Sequence, residues 1–374
     1  MHRRAVSPAP PVGSPAPDPA SGLLTVGATP ALHARKRKAA LVIGIGYFNN
    51  ATLAALAPPL TGAVEDAHAL SKFLLQKGGH TPSTMVVLTD GIEKFGKPAG
   101  WKGEPTRANI MHALTAVISE SASLDELWIS FSGHAVGVKD VDGDESSETI
   151  TGQGYDEAML PVDYAGHLDL ISDDELSAGL QRIAPTCRTF ILMDCCHSGS
   201  ICDLPYSYDQ SSQQVTAKIG ARRFGANYTP SIVQFAAATD TQEAVDLGGS
   251  GWLTQRLLGA LVRSNYSITV RQLVHALEAR KLLDERSGAI FAANHGSVGK
   301  ASQITTVALS HPALLDTPVC GAPDSHLVPD FWGADPVVFH TASQSGFAER
   351  EWEDGVDSWY DTNGANGGSD CAIM

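Results

Sequence analysis

Arg188-Thr-Phe-Ile-Leu-Met-Asp-Cys-Cys-His-Ser-Gly-Ser200 opens as a short apolar run, Phe190 to Met193, and turns abruptly polar at Asp194. Such a run suits a strand buried on both faces of a parallel sheet. In open α/β sheets chemistry collects outside the carboxyl ends of the strands, so a thiol at this end is a candidate nucleophile. A second run ends the same way: Leu127 to Phe131 leads into Ser132-Gly133-His134-Ala135. A Cys and a His at two strand ends, far apart in sequence, fit a pair assembled by folding.

Strand geometry selects between the two adjacent thiols. Side chains alternate faces with period two, so Asp194 and Cys196 share one face while Met193 and Cys195 share the other. Cys195 then follows Met193 into the core, where free cysteines commonly sit. Cys196 is the expected nucleophile. His197 is its neighbour, but side chains of consecutive residues diverge, and a structural or solvent-facing role is expected.

Ser132-Gly-His-Ala135 and Asp194-Cys-Cys-His-Ser-Gly199 resemble the two signature blocks of the metacaspases, caspase-fold cysteine peptidases of fungi, plants and protists. The resemblance extends over roughly residues 38–310. It implies Cys196 as nucleophile and His134 as base. The oxyanion donors it implies are the backbone N–H groups of Cys196 and Ala135. Ala135 replaces the glycine usual after the histidine, and serves unless the position demands positive φ. The resemblance also implies a substrate pocket built from Asp66, Ser132 and Asp194, selecting Arg or Lys through charge-assisted hydrogen bonds. In the matching helix motif, Leu60 to Ala67, Ala63 and Glu65 replace residues that are often Cys and Asn. Read without the resemblance, Asp66 is an acid near a helix start, off the buried stripe and stabilised by the macrodipole. Four further acids, Asp156, Asp173, Asp174 and Asp203, match positions that bind Ca²⁺ in related metacaspases, and hard oxygen donors suit Ca²⁺ over zinc. Asp173 and Asp174 also read as first-turn acids of a capped helix.

Other metal motifs fail. Asp140 to Glu145 looks like the start of an EF-hand, but Glu145 replaces the required Gly and Thr151 the closing Glu. Cys195-Cys196-His197 is a poor zinc site, because neighbouring ligands do not converge without strain.

Composition bounds the rest. The chain has 374 residues, a formal net charge of −15 and six cysteines. That charge argues against nucleic acid and suits a basic ligand or a cation. The cysteines make no disulfide framework, which indicates a reducing, cytoplasmic compartment. No apolar stretch is long enough to span a bilayer, and no signal-peptide core begins the chain. The expected state is a monomer.

The expected fold is α/β, a caspase-like, mostly parallel sheet sandwiched between helices. A Pro-rich disordered leader, 1–37, contains most of the basic cluster Arg35 to Lys38, read by default as a solvated flank, with a localisation signal or a second cleavage site as the alternatives. The peptidase domain, 38–310, divides into a large part (38–203), a linker (204–230) and a small part (231–310), and an irregular tail follows (311–374). Strands are expected at Ala39–Gly46, Met85–Leu88, Leu127–Phe131, Ala158–Val162, Phe190–Met193, Ile232–Ala236 and Gln303–Leu309. Helices are expected from Thr61, as cap, to Lys77, stopped by Gly78; over Thr106–Ser119; from the capping box Ser172-Asp-Asp-Glu175 to Ile183; over Leu253–Val262; and over Thr269–Lys281. Residues 204–230 lack periodicity and read as an exposed loop, with Lys218, Arg222 and Arg223 as self-processing sites.

The resulting expectation is a Ca²⁺-activated endopeptidase cutting after Arg or Lys. A caspase-homology scaffold with little activity is the alternative, favoured only by Ala135; a legumain-like enzyme would need another specificity and secretion. The final four residues, Cys371-Ala-Ile-Met374, fit a farnesylation signal. Acidic residues precede it, so any membrane fraction is expected to be minor.

Overall fold

A computed structural model describes residues 36–54, 59–139, 155–217, 230–238, 251–279 and 305–319. The strands are β1 (Lys38–Gly44), β2 (Met85–Thr89), β3 (Trp101–Gly103), β4 (Glu126–Ser132), β5 (Ala135–Lys139), β6 (Tyr155–Met159), β7 (Ile171–Ser172), β8 (Arg188–Asp194), β9 (Tyr206–Asp209), β10 (Gln214–Ala217), β11 (Ser231–Ala236) and β12 (Thr306–Leu309). The helices are α1 (Ala51–Ala54), α2 (Thr61–Gln76), α3 (Ile92–Phe95), α4 (Arg107–Glu120), α5 (Asp173–Leu180) and α6 (Trp252–Arg263), with a further helix over 270–279.

Among the described residues, nine strands form one sheet in the order β10-β9-β12-β11-β8-β4-β1-β2-β3. From β11 to β3 every neighbouring pair is parallel, and β12, β9 and β10 add antiparallel strands at one edge. A small antiparallel sheet, β5-β6-β7, lies apart from it. This is the expected α/β architecture. No helix of the described residues is long and apolar enough to cross a membrane.

Alternation along the central strands sorts their side chains into two cores. Leu41 and Ile43 of β1, Ile129 and Phe131 of β4, and Ile191 and Met193 of β8 pack with α4, α5 and the small sheet. Val42, Trp128, Phe190 and Leu192 face the other way, onto α2, α6 and the helix over 270–279. Helix α2 approaches β1 closely: a Cβ on Gly44 would lie 2.3 Å from the Ala63 carbonyl oxygen and 2.6 Å from the Ala67 Cβ. Small residues at 44, 63 and 67 thereby set α2 directly over the carboxyl end of the sheet.

Helix ends follow local chemistry. Thr106 caps α4 by accepting from Asn109 N, and Ser172 caps α5 by accepting from Glu175 N. Thr61 is not a cap. It is the first residue of α2, and the N-cap is Leu60, whose side chain has no capping oxygen. At the other end Gly79, rather than Gly78, takes the left-handed backbone, with φ 73°.

Two stretches depart from expectation. Residues 206–217 form the β9–β10 hairpin, with Tyr208 buried against the sheet, where an exposed loop was expected. Beyond Ser310 the described chain makes a 3₁₀ turn, Pro312–Asp316, and buries Leu315 and Val319. Residues 1–35 of the leader, the acidic segment at 140–145, Lys218, Arg222, Arg223 and Cys371 lie outside the described residues.

Candidate active site

Strands β4 and β8 are direct neighbours in parallel register, with Ser132 opposite Asp194. His134 and Cys196 each lie two residues past that pair, so the two chemical blocks leave the sheet side by side. Both residues are buried, at 1% and 4% exposure. Cys195 belongs to the core that contains Met193. Its thiol is fully enclosed, and burial, first of all, pushes its pKa well above the ordinary value. The chain turns away sharply after Cys196, with His197 half-buried in left-handed backbone at φ 49°. Ala135 opens β5 and lies outside the left-handed region, so its position requires no glycine.

The histidine rests on a residue that sequence reasoning missed. Tyr47 follows β1 with φ 57°, and its ring lies 4.9 Å from the His134 ring, tilted by 31°. Its hydroxyl accepts from His134 N at 2.9 Å and donates to the Leu160 carbonyl at 2.8 Å. The loop that carries Tyr47 is held by Asp90, which accepts from Gly46 N at 2.6 Å and Phe48 N at 3.2 Å. Burial raises the Asp90 pKa despite those donors. The sequence signal was slight: a Gly before the aromatic pair and two Asn after it mark only a turn.

Asp66, Ser132 and Asp194 come together on the α2/α6 side of the sheet. Ser132 Oγ donates to Asp66 Oδ2 at 2.6 Å. Asp66 is 2% exposed, on the buried face of α2 rather than off it. The first turn of α6 closes over both acids: Gly251 N donates to the two Asp66 oxygens at 3.1 Å, and Thr254 N and Oγ1 donate to Asp194 Oδ2 at 2.7 and 2.8 Å. A helix N-terminus is the natural place for such charge.

Three of the four remaining acids gather between β6 and the start of α5, and Asp203 is not part of that group. Ligand atoms of Asp156, Asp173 and Asp174 lie within 4.8 Å of one another. Asp173 is buried and accepts from Glu157 N at 2.8 Å and Asp174 N at 2.7 Å. Its pKa is nevertheless raised to about 7, first by burial and then by the charges of Asp203 and Asp174. Asp203 itself is buried with left-handed backbone. The two acids at the start of α5 thus share one neighbourhood with Asp156 of β6.

A family model described as metacaspase, peptidase C14 domain, matches residues 37–205. Metacaspase-1 of Meyerozyma guilliermondii is 37% identical over 175 residues, 46% of this chain and 38% of that protein. Metacaspase-1A of Aspergillus niger is 38% identical over 176 residues, again 46% of this chain and 38% of that protein. The match thus spans well under half the length of these curated relatives. Among solved structures, caspase-1 from Spodoptera frugiperda covers 74% of this chain and 87% of its own, at 14% identity and a TM-score of 0.42. Both strand-end blocks fall inside the matched residues, so it is residues 37–205, with the two blocks, that are similar to the metacaspase peptidase C14 domain.

Proposed function

We propose that the protein is a cysteine endopeptidase that cleaves after Arg or Lys and is activated by Ca²⁺. The observation that carries this reading is the pairing of β4 with β8, which brings His134 and Cys196 out of the sheet together beside buried Asp66 and Asp194. His134 takes the proton from the Cys196 thiol, and the sulfur attacks the scissile carbonyl carbon. The oxyanion accepts from the Cys196 and Ala135 N–H groups, the role preorganised backbone donors play best in a water-poor site. His134 then gives its proton to the leaving amine as the C–N bond breaks. Water, deprotonated by His134, attacks the thioester and releases the acid and the thiol.

The acid pair supports a basic P1 residue. Two buried carboxylates favour a guanidinium or ammonium, and no aspartate side chain would enter beside them. Asp156, Asp173 and Asp174 fit a hard divalent cation, with Asp203 near enough to act on Asp173 by its charge: the donors are all oxygen, and their mutual repulsion is what a cation relieves. These residues would hold Ca²⁺, which would supply the positive charge that lets the carboxylates ionise together. Lys218, Arg222 and Arg223 are the expected points of self-cleavage.

Fluorogenic peptides with Arg, Lys or Asp at P1 test the reading, each in Ca²⁺ and in excess chelator. Arg and Lys peptides should be cut only with Ca²⁺, and not by Cys196→Ala. Cleavage after Asp, or full activity in chelator, contradicts it.

A further inference from the structure

The acid cluster and the nucleophile turn are joined through one strand. On β6, period-two alternation puts Asp156 on one face and Glu157 on the other. The main chain of Glu157 belongs to the cluster, since its N–H donates to Asp173 Oδ2 at 2.8 Å. Its side chain belongs to the turn, since Oε2 accepts from Ser200 Oγ at 2.6 Å. Both residues are buried, at 4% and 8% exposure. A buried carboxylate is costly to keep and is retained where its hydrogen bonds are made.

The turn after Cys196 is held through Ser198 and Ser200, among other contacts. Ser198 ties it to β11 and the residues beyond: its carbonyl accepts from Gln234 Nε2 at 2.7 Å, and its hydroxyl lies 3.4 Å from the Ala238 carbonyl and 3.3 Å from Ala238 N. Ser200 ties it to Glu157, and the Ser200 carbonyl accepts from Asp203 N at 2.6 Å. Asp203 in turn is close enough to raise Asp173 by its charge. A short turn therefore brings Asp203 near Asp173 and ties Ser200 to β6, a few residues after the nucleophile.

We propose that Glu157 is a positioning residue, and that its hydrogen bond to Ser200 carries cation occupancy at Asp156, Asp173 and Asp174 to the turn that holds Cys196. This rests on the reading of those acids as a Ca²⁺ site. Occupancy fixes Asp173, Asp173 fixes the Glu157 backbone, and the Glu157 side chain holds Ser200 and with it the loop bearing the Cys196 N–H. The link to the cluster is made by main chain, so truncating the side chain leaves it intact and removes only the link to the turn.

The test separates binding from response. Ca²⁺ affinity is measured by titration calorimetry, and the rate of Cys196 alkylation by iodoacetamide by peptide mass spectrometry, with and without Ca²⁺. In the wild type Ca²⁺ should change the alkylation rate by about fivefold or more, the low end of ordinary coupling between sites. Ser200→Ala and Glu157→Ala should bind Ca²⁺ with affinity within about threefold of the wild type but lose that response, while Ser200→Thr, which keeps the hydroxyl, should retain it. If Glu157→Ala does not fold, the Ser200 pair decides alone. A wild-type response preserved in Ser200→Ala overturns the proposal and leaves the Ca²⁺ reading standing. A wild type that binds no Ca²⁺ overturns both.

Discussion

Cys195 and Cys196 are adjacent and chemically alike, and the pleat of β8 sends them to opposite fates. Cys195 packs in the core beside Met193, whereas Cys196, though buried, belongs to neither hydrophobic core of the sheet. Replacing Cys196 by Ala should abolish hydrolysis and alkylation, and replacing Cys195 by Ala should leave most of both. Equal loss in the two folded variants would show that face parity chose the wrong thiol. Tyr47 makes a different demand. Tyr47→Phe keeps the ring against His134 but removes the acceptor for its N–H and the donor to Leu160. Stability should fall by about 1–3 kcal/mol, the range for a buried polar group left unsatisfied, as read by urea denaturation. The turnover number should fall with little change in KM, because a displaced base slows the chemistry while binding groups stay in place. Cys196 and His134 were legible because each ends an apolar run. Tyr47 was not, since a left-handed loop residue reaching across to another strand leaves no periodic trace.

Elements were legible in proportion to their pattern. Helix α4 and helix α5 begin where their Thr and Ser caps stand, and β4 and β8 extend only one or two residues past their apolar runs. The β9–β10 hairpin escaped because β10 is mostly exposed and β9 buries a single residue, so neither alternates clearly. Likewise β5 and β7 are short strands of a small sheet, defined by pairing with β6 more than by composition. Helix α6 was legible as a helix but not as part of the acid pocket. Its Gly251 is the reason: a Cβ there would stand 2.3 Å from Asp194 Oδ2 and 2.6 Å from Asp66 Oδ2. Gly251→Ala must therefore push the two carboxylates apart or lift the helix start away from them. Hydrolysis of an Arg peptide should drop by at least about tenfold in kcat/KM, ~1.4 kcal/mol of transition-state binding. Steady-state kinetics beside a melting curve checks this, and unchanged kinetics in a folded variant would mean that substrate does not use these acids.

At the scale of the whole molecule, the candidate site occupies the carboxyl edge of the sheet, and the opposite edge carries a buried polar group. His80 is 4% exposed there, its backbone N–H bonded to the Leu74 carbonyl at 3.1 Å and Nε2 3.3 Å from the Ala39 carbonyl. Beside it Lys38 bridges Glu126 at 3.2 Å and donates to the Gly78 carbonyl at 2.9 Å, and Trp128 Nε1 donates to Glu126 at 3.1 Å. Burial lowers the His80 pKa below 6.5; Lys38 adds to that, and Glu126 and the two carbonyl-side contacts oppose it without winning. The neutral ring donates from Nε2 to Ala39. Because the folded pKa is the lower one, the unfolded chain binds more protons between the two values, and stability rises with pH across that window. This contribution is complete above 6.5 and is lost as the pH falls below it. Asp90 and Asp173 carry the opposite sign, since their raised carboxyls lose stability as pH rises, for Asp173 up to about 7. The net curve therefore mixes both, and the His80 part is isolated by difference. His80→Gln keeps a donor for Ala39 without the titration. Melting temperatures of wild type and variant, measured from about pH 8 to about pH 5, should diverge below the ordinary histidine range, with the wild type falling more steeply. Parallel curves would mean that His80 is charged in the folded protein, held by Glu126 against the cost of burial.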